Sequence, residues 1–561
     1  MTASARASAA RAESEVPETP PFRGAPLRRR QAAAVLSGVL LTFCFPKYDL
    51  AALAWAALIP LLAAIEGIAP RRAFWLGGLA GTVGYIGTLS WVTITMTRYG
   101  NLPFPVAWIV MLMLAAYLSL FTGVFCALVC RFGRESRWVR LALAPFLWVT
   151  LELARTHLLT GFPWAALGYT QYAALPVIQV ADITGIYGVS FLIVLVNSAL
   201  WGVMRDFIPA YARPRGKPGG GGEGRAFRGS AWALGATAVL LGAALLYGRA
   251  RLETFATPSP EDARPDRSVR VALLQGNIPQ EVKWDEAYRL KTLEVYENMT
   301  YKHAGGKPDL IVWPETAAPF FFLRDKAYRE RVLNLSAKVR VPLLVGAVSV
   351  ALRNREHRLR NSAFLVTPEK KVAGQYNKTH LVPYGEYVPL KRFFPFIRKM
   401  VSGIGDFLPG DRRTVFPLAK APFSVLICYE VIFADEVRRF VRNGAQLLVN
   451  ITNDAWFGRS AGPYQHMSIA ALRAVENRVP LVRAANTGIT GVVDATGKIR
   501  EATALFVRTG VLANVAPRMP GPAGLTFYTR HGDLFAYLSA ALAVLILGLQ
   551  WATGRHSARK G

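Results

Sequence analysis

Seven apolar stretches succeed one another in the first 250 residues, at roughly 32–46, 50–68, 73–93, 104–130, 138–156, 186–204 and 229–248. An eighth lies at 534–552. Each approaches the ~20 residues that an α-helix needs to cross hydrocarbon. Inside a bilayer every backbone polar group must be satisfied internally, so these stretches are predicted to be helices. Hydrophobic residues make up 52% of the chain and charged residues 18%. That balance agrees with a membrane protein and disfavours a wholly soluble one.

The basic residues give the predicted spans a direction. Arg28, Arg29 and Arg30 precede the first stretch, and Arg71 and Arg72 separate the second from the third. Arg131, Arg134, Arg137 and Arg140 follow the fourth, while Arg205, Arg213, Arg215, Lys217, Arg225 and Arg228 follow the sixth. The alternate loops carry little beyond Lys47 and Arg98. Loops rich in Lys and Arg stay in the cytoplasm. Both termini are therefore expected inside, with the long region after residue 250 on the far side. Phe43 stands where a lipoprotein cleavage box needs a small residue before Cys44, so the first stretch reads as an uncleaved span.

The net charge of +30 is accounted for by these loops. No nucleic-acid-binding motif or P-loop accompanies it, so nucleic acid is not an expected partner. The spans hold few ionisable residues, chiefly Glu66 and Glu152, which argues against a transporter. The seven histidines show no metal-ligand spacing, and no metal or cofactor is expected. Of the four cysteines, Cys44, Cys126 and Cys130 lie in span-like segments and only Cys428 in the polar region. Disulfides are not expected there.

The expected organisation is a disordered cytoplasmic N-terminus at 1–30, a seven-span membrane domain at 31–250, a second unit at 268–517, a closing span at 534–552 and a cytoplasmic tail at 553–561. GKPGGGGEGR at 216–225 reads as a flexible linker. Within the second unit VRVALLQ, DLIVWPE, VPLLVGAVSV, NSAFLVTP, FSVLICYE and AQLLVNIT read as strands. DEAYRLKTLEVYENM and ADEVRRFVRNG read as helices between them, and TPEKK at 367–371 as a hairpin turn. The alternation predicts a layered α/β domain.

Three strand ends carry unusual chemistry. Glu315 closes DLIVWPE, Lys378 sits in GQYNKTHLVPYGEYVP, and Cys428 lies where SVLICYEVIF passes from a strand towards a helix. Ligands in α/β folds gather at strand carboxyl ends. A helix N-terminus and a nearby ammonium would stabilise a thiolate. A base, a cation and a thiol are what acyl transfer through a thioester requires. Singly, each has an ordinary reading: a surface glutamate, a solvated lysine, a buried inert thiol.

Glu315 in VWPET, Lys378 in YNKTHLVPYGEYVP and Cys428 in ICYE resemble the Glu–Lys–Cys triad of the nitrilase, or carbon–nitrogen hydrolase, superfamily. The order of spans, polar domain and closing span resembles the apolipoprotein N-acyltransferase family within it, as do TGFPW at 160–164, QGNIPQ…KW at 275–284, LVPYGEYVP and NITNDAWFG at 450–458. The resemblance implies about eight spans plus a periplasmic αββα sandwich in a bacterial inner membrane. It implies that Cys428 takes an acyl chain from the sn-1 position of a phospholipid, commonly phosphatidylethanolamine. The thioester would then pass the chain to the amine of a diacylglyceryl-cysteine lipoprotein. Glu315 would be the base and Lys378 the oxyanion partner. Glu386, Tyr429 and Glu430 match supporting positions, and Trp284, Trp456 and Asn361 are candidates for the pocket. The competing expectation is a membrane-anchored amidase in which water accepts the acyl group. The segment FFPFIRKMVSGIGDFLPG at 393–410, with Phe393 and Phe394, is expected to act as a lipid-facing lid.

Overall fold

The computed structural model describes residues 26–133, 137–207, 222–256, 268–353, 355–387, 407–518 and 524–559. The N-terminal 25 residues, the linker up to residue 221 and positions 393–406 of the expected lid lie outside the described residues.

Among the described residues four helices are long and apolar enough to cross a membrane: Phe104–Phe132, Ile186–Arg205, Ala231–Phe255 and Leu534–Ala552. A fifth candidate is the bent pair Pro70–Leu89 and Val92–Tyr99, kinked by 59°. The stretches at 32–46 and 138–156 fall on the helices Leu27–Cys44 and Arg137–His157. The expected span at 50–68 is not one helix. It forms a 3₁₀ turn at Ala51–Trp55 and a six-residue helix at Ile59–Ala64. Pro60, lacking an N–H, sits in the first turn of the second piece. The broken backbone is satisfied by side chains, as an apolar setting demands. Asn197 accepts from Leu58 N at 2.9 Å and donates to Ala54 O at 2.8 Å, while Ser37 Oγ accepts from Leu61 N at 2.9 Å. Part of the expected linker is also helical, since the helix Gly222–Ala256 begins inside it.

The second unit contains two sheets. The strands are β1 Val269–Gln275, β2 Leu310–Val312, β3 Ala318–Phe321, β4 Leu343–Arg353, β5 Glu356–Thr367, β6 Lys371–Asn377, β7 Val415–Phe416, β8 Phe423–Ile427, β9 Leu447–Thr452, β10 Leu481–Ala485, β11 Gly491–Val493, β12 Ile499–Arg500 and β13 Thr509–Val515. One sheet runs β13-β1-β2-β4-β5-β6, with β3 beside β4, and the other runs β12-β11-β10-β9-β8-β7. β1, β2 and β4 are mutually parallel, as are β8, β9 and β10. β5 and β6 pair antiparallel across the turn in TPEKK.

Period-two burial explains the layers. Val271, Leu273, Val312, Leu344 and Leu365 of the first sheet share one core with Val425, Ile427, Val449 and Ile451 of the second. The alternate residues Ala272, Leu274, Ile311, Leu343 and Val345 face away, against Leu293, Tyr296, Val332 and Leu335 of the helices Glu286–Ala304 and Lys326–Val339. The helices Ala434–Arg442 and Gly462–Asn477 belong to the second sheet. The result is an αββα stack. Asp285 caps the helix Glu286–Ala304 by accepting from Ala287 N at 2.9 Å.

Candidate active site

Glu315, Lys378 and Cys428, each just beyond the end of a strand, come together with Asn361 from the middle of β5. β2 ends at Val312, and Trp313–Pro314 turn the chain so that Glu315 points inward. The turn demands close approach by β4: a Cβ on Gly346 would lie 2.2 Å from Pro314 O and 2.9 Å from Glu315 Cα. Glu315 is buried, yet both carboxylate oxygens are satisfied. Oε1 accepts from Asn361 Nδ2 at 2.7 Å, and Oε2 accepts from the Asn453 backbone N–H at 2.9 Å. Asn361 lies on β5 of the first sheet and Asn453 just beyond β9 of the second, so the base candidate is gripped by both sheets.

Lys378 follows β6 and is 1% exposed. Its Nζ lies 3.0 Å and 2.9 Å from the two oxygens of Glu386. Glu386 also accepts from Asn361 Nδ2 at 3.0 Å and from Val382 N at 2.8 Å. Asn361 thus bridges two carboxylates that would otherwise repel. Burial disfavours the Lys378 ammonium, but Glu386, Cys428 and Glu315 outweigh it and hold its pKa above the ordinary value.

Cys428 follows β8 directly and has φ +53°, a left-handed conformation that costs energy in a non-glycine residue. It opens a 3₁₀ turn of five residues, Cys428–Ile432. Burial pushes its thiol well above the ordinary value, Glu315 adds to the shift, and Lys378 opposes it. This departs from the sequence expectation of a thiolate stabilised by a helix N-terminus: desolvation outweighs the cation and favours the protonated thiol. Burial likewise raises the Glu315 carboxyl, opposed by Lys378. A raised carboxyl pKa makes a better proton acceptor.

Glu430 lies beneath the turn. Its Oε1 accepts from Tyr376 OH at 2.7 Å, Thr379 N at 2.6 Å, Thr379 Oγ1 at 3.0 Å and His380 N at 3.2 Å, and its Oε2 accepts from Ile427 N at 2.7 Å. Tyr429 lies on the same turn. Its ring stacks 6.5 Å from Trp164 of the TGFPW segment, at an interplanar angle of 19°. Trp284 packs into a small apolar cluster with Val348, Leu381 and Phe407. Trp456 lies against Tyr99 of the bent apolar helix, with ring centroids 5.0 Å apart. Neither tryptophan hydrogen-bonds to the Glu315, Lys378 or Cys428 side chains.

Lys283, Asn453, Asp454, His466 and Arg483 escaped the sequence reading. Lys283, in the QGNIPQ…KW stretch, donates from Nζ to the Glu315 backbone carbonyl at 3.0 Å. Its proximity to Trp284 in that stretch was the available signal. His466 Nε2 lies 3.3 Å from the Cys428 carbonyl, and Nδ1 lies 3.1 Å from Asp454 Oδ1 and 2.9 Å from Arg483. A carbonyl only accepts, so Nε2 is the donor to Cys428 O. Burial and Arg483 lower the pKa of this ring, and Asp454 opposes them. Asp454 pairs with Arg483 at 2.7 Å behind it. No sequence spacing links positions 454, 466 and 483. Among the described residues no group of His, Cys, Asp and Glu is arranged to hold a metal ion.

Comparison with known proteins decides the family. Residues 37–199 match the model described as the apolipoprotein N-acyltransferase N-terminal domain, and residues 270–515 match the carbon–nitrogen hydrolase model. The apolipoprotein N-acyltransferase of Geobacter metallireducens is 44% identical over 532 residues, 94% of this chain and 96% of that one. The chain belongs to the apolipoprotein N-acyltransferase family. The enzyme of that name from Methylococcus capsulatus is 33% identical over 94% of this chain and 96% of its own. Both alignments run through the apolar half as well as the two-sheet unit, so the resemblance is not confined to the hydrolase-like fold. Yeast Nit3, a nitrilase-superfamily protein of known structure, is 20% identical, covering 45% of this chain and 91% of its own with a TM-score of 0.35.

Proposed function

We propose that this acyltransferase moves an acyl chain from the sn-1 position of a phospholipid, phosphatidylethanolamine above all, to the N-terminal amine of a diacylglyceryl-cysteine apolipoprotein. The site residues divide the work as follows. Glu315 takes the Cys428 thiol proton as sulfur attacks the ester carbonyl. Lys378 faces the oxyanion that develops. Collapse breaks the ester C–O bond, and the departing lysophospholipid oxygen takes the proton from Glu315. The thioester remains. The lipoprotein amine then gives a proton to Glu315 as its nitrogen attacks the thioester carbonyl. Collapse forms the amide and releases the sulfur, which recovers the proton. An amide is more stable than a thioester, so no nucleotide is required. Glu386, Asn361 and Glu430 hold the groups in register, and Tyr429, Trp284 and Trp456 flank the approach.

We place the protein in the bacterial inner membrane with both termini cytoplasmic. The unit at 31–250 and the closing helix at 534–552 would embed it, and the unit at 268–517 would face the periplasm. The positive loops support this orientation, with the broken 50–68 segment and the bent 73–93 segment packed among longer helices.

One observation carries the reading: a buried Glu315 held by both sheets beside Lys378 and Cys428, within a chain whose family membership extends through its apolar half. The deciding experiment is mass spectrometry of the protein mixed with phosphatidylethanolamine vesicles. Cys428 should gain the mass of one acyl chain, labile to hydroxylamine and absent in Cys428→Ser. Added diacylated lipopeptide should discharge it as triacylated product. Release of free fatty acid in place of that product would overturn the transfer reading.

A further inference from the structure

Lys283 is a second buried lysine in the site. It is 1% exposed, and its Nζ bonds the Glu315 carbonyl rather than a carboxylate. Burying an ammonium costs several kcal/mol unless nearby charge compensates. Among the described residues no ion pair compensates it directly; the charged or titratable groups that pull on it are Glu315 and Cys428.

The groups around the Glu315 side chain come from five segments. Lys378 follows β6, Glu386 lies in the loop beyond it, Asn361 is on β5, Asn453 follows β9, and Lys283 lies in the loop after β1. Cys428 completes the set from the end of β8. Two carboxylates, Glu315 and Glu386, therefore face two ammonium groups, Lys378 and Lys283. Lys378 is engaged with both oxygens of Glu386. Without Lys283, the buried Glu315 and the half-buried Glu386 would share one cation, and the more deeply buried Glu315 is the one whose charge would be left uncompensated. Glu386 keeps its direct partner. Glu315 would be the one neutralised.

We infer that Lys283 is a positioning residue that keeps Glu315 ionised and fixes its turn, through a buried ammonium bonded to the Glu315 carbonyl. The inference rests on Glu315 being the base. Burial draws the Lys283 pKa down to about 8, so the charge is present at neutral pH and below. Lys283 does not touch the acyl group; it acts through Glu315.

The test follows acyl-enzyme formation on phosphatidylethanolamine vesicles by mass spectrometry, from about pH 4 to about pH 8. Lys283→Met removes both the charge and the donor. Lys283→Gln keeps the donor and most of the length, so it reports on the charge where the Met variant loses folding as well. Lys283→Arg keeps the charge. The acid limb of the rate should move up by roughly one pH unit in the Gln and Met variants, and stay in place in the Arg variant. An unmoved limb in Lys283→Gln overturns the inference, whether the rate is normal or lowered equally at every pH. Absence of acylation in the unsubstituted protein would instead remove the base assignment on which the inference rests.

Discussion

Glu430 Oε1 accepts the backbone N–H of Thr379 at 2.6 Å, joining the turn after Cys428 to the residue after Lys378. The proposed nucleophile and cation arrive on different sheets, and this carboxylate fixes one against the other. It receives four donors on Oε1 and a fifth, Ile427 N, on Oε2. Glu430→Gln must set an amide NH₂ against at least one of them. A hydrogen bond to a charged group contributes about 1.5–3 kcal/mol, so a measurable fall in melting temperature is expected. Displacement of Lys378 by even a fraction of an ångström should lower acyl-enzyme formation by roughly 10²-fold in protein that remains folded. Rates within a few-fold of the unsubstituted protein would show that Glu430 does not set the register.

Asn361 offers a test of pH behaviour. Its amide donates to both Glu315 and Glu386. The bond to Glu315 favours its ionised form, while burial opposes that ionisation and raises its pKa. A base is active when deprotonated, so acylation should rise with pH through the Glu315 pKa. Asn361→Ala removes the donor and should move that rise to higher pH, by roughly half a unit to one unit, with partial recovery at alkaline pH. A rate profile of the same shape in both proteins would count against Glu315 as the titrating base.

Gln465 ties the two halves of the molecule together. Its Oε1 accepts from Trp91 Nε1 at 3.1 Å and Trp164 Nε1 at 2.8 Å, and its Nε2 donates to Pro46 O and Thr88 O, each at 3.0 Å. All four partners belong to the apolar half. Gln465→Leu keeps the size and strands two indole donors and two carbonyls. Each unsatisfied buried group costs about 1–3 kcal/mol, so the loss should reach several kcal/mol and appear as a clear drop in thermal stability in detergent. Trp164 also stacks on Tyr429, so acylation should fall as well. A variant with unchanged melting and rate would mean that the halves are held elsewhere.

Much of this architecture was legible because period-two burial and apolar length are local properties. β1, β4, β8 and β9 fall on runs such as VRVALLQ and AQLLVNIT. β7 and β12, two residues each, are too short to leave a pattern and exist through their neighbours' edges. The 50–68 stretch misled because hydropathy measures composition, whereas Pro60, Asn197 and Ser37 decide where the helix breaks. The Glu–Lys–Cys set was visible as strand-end chemistry. Its supports were not, because Asn453, His466 and Arg483 reach the site only through tertiary packing. The thiol's state was also hidden, since a sequence reports the nearby lysine but not the depth of burial.

Gly346 leaves a final test that needs no charged group. It sits mid-strand in VPLLVGAVSV, where a lone glycine signals close backbone approach. Its Cα faces the Pro314–Glu315 turn so closely that a methyl group would meet Pro314 O at 2.2 Å and Thr316 N at 2.9 Å. Both contacts are backbone, so rotamer changes cannot relieve them. Gly346→Ala must therefore push the turn away from β4 or bend the strand. Overpacking of this kind costs about 1–3 kcal/mol. The displaced turn carries Glu315 away from Asn361 and Asn453, whose bonds at 2.7 Å and 2.9 Å tolerate little movement. Acyl-enzyme formation should fall by roughly 10²-fold or more while the apolar half keeps its helicity by circular dichroism. Full activity in Gly346→Ala would mean that the turn has slack, and that Glu315 is placed by its side-chain bonds alone.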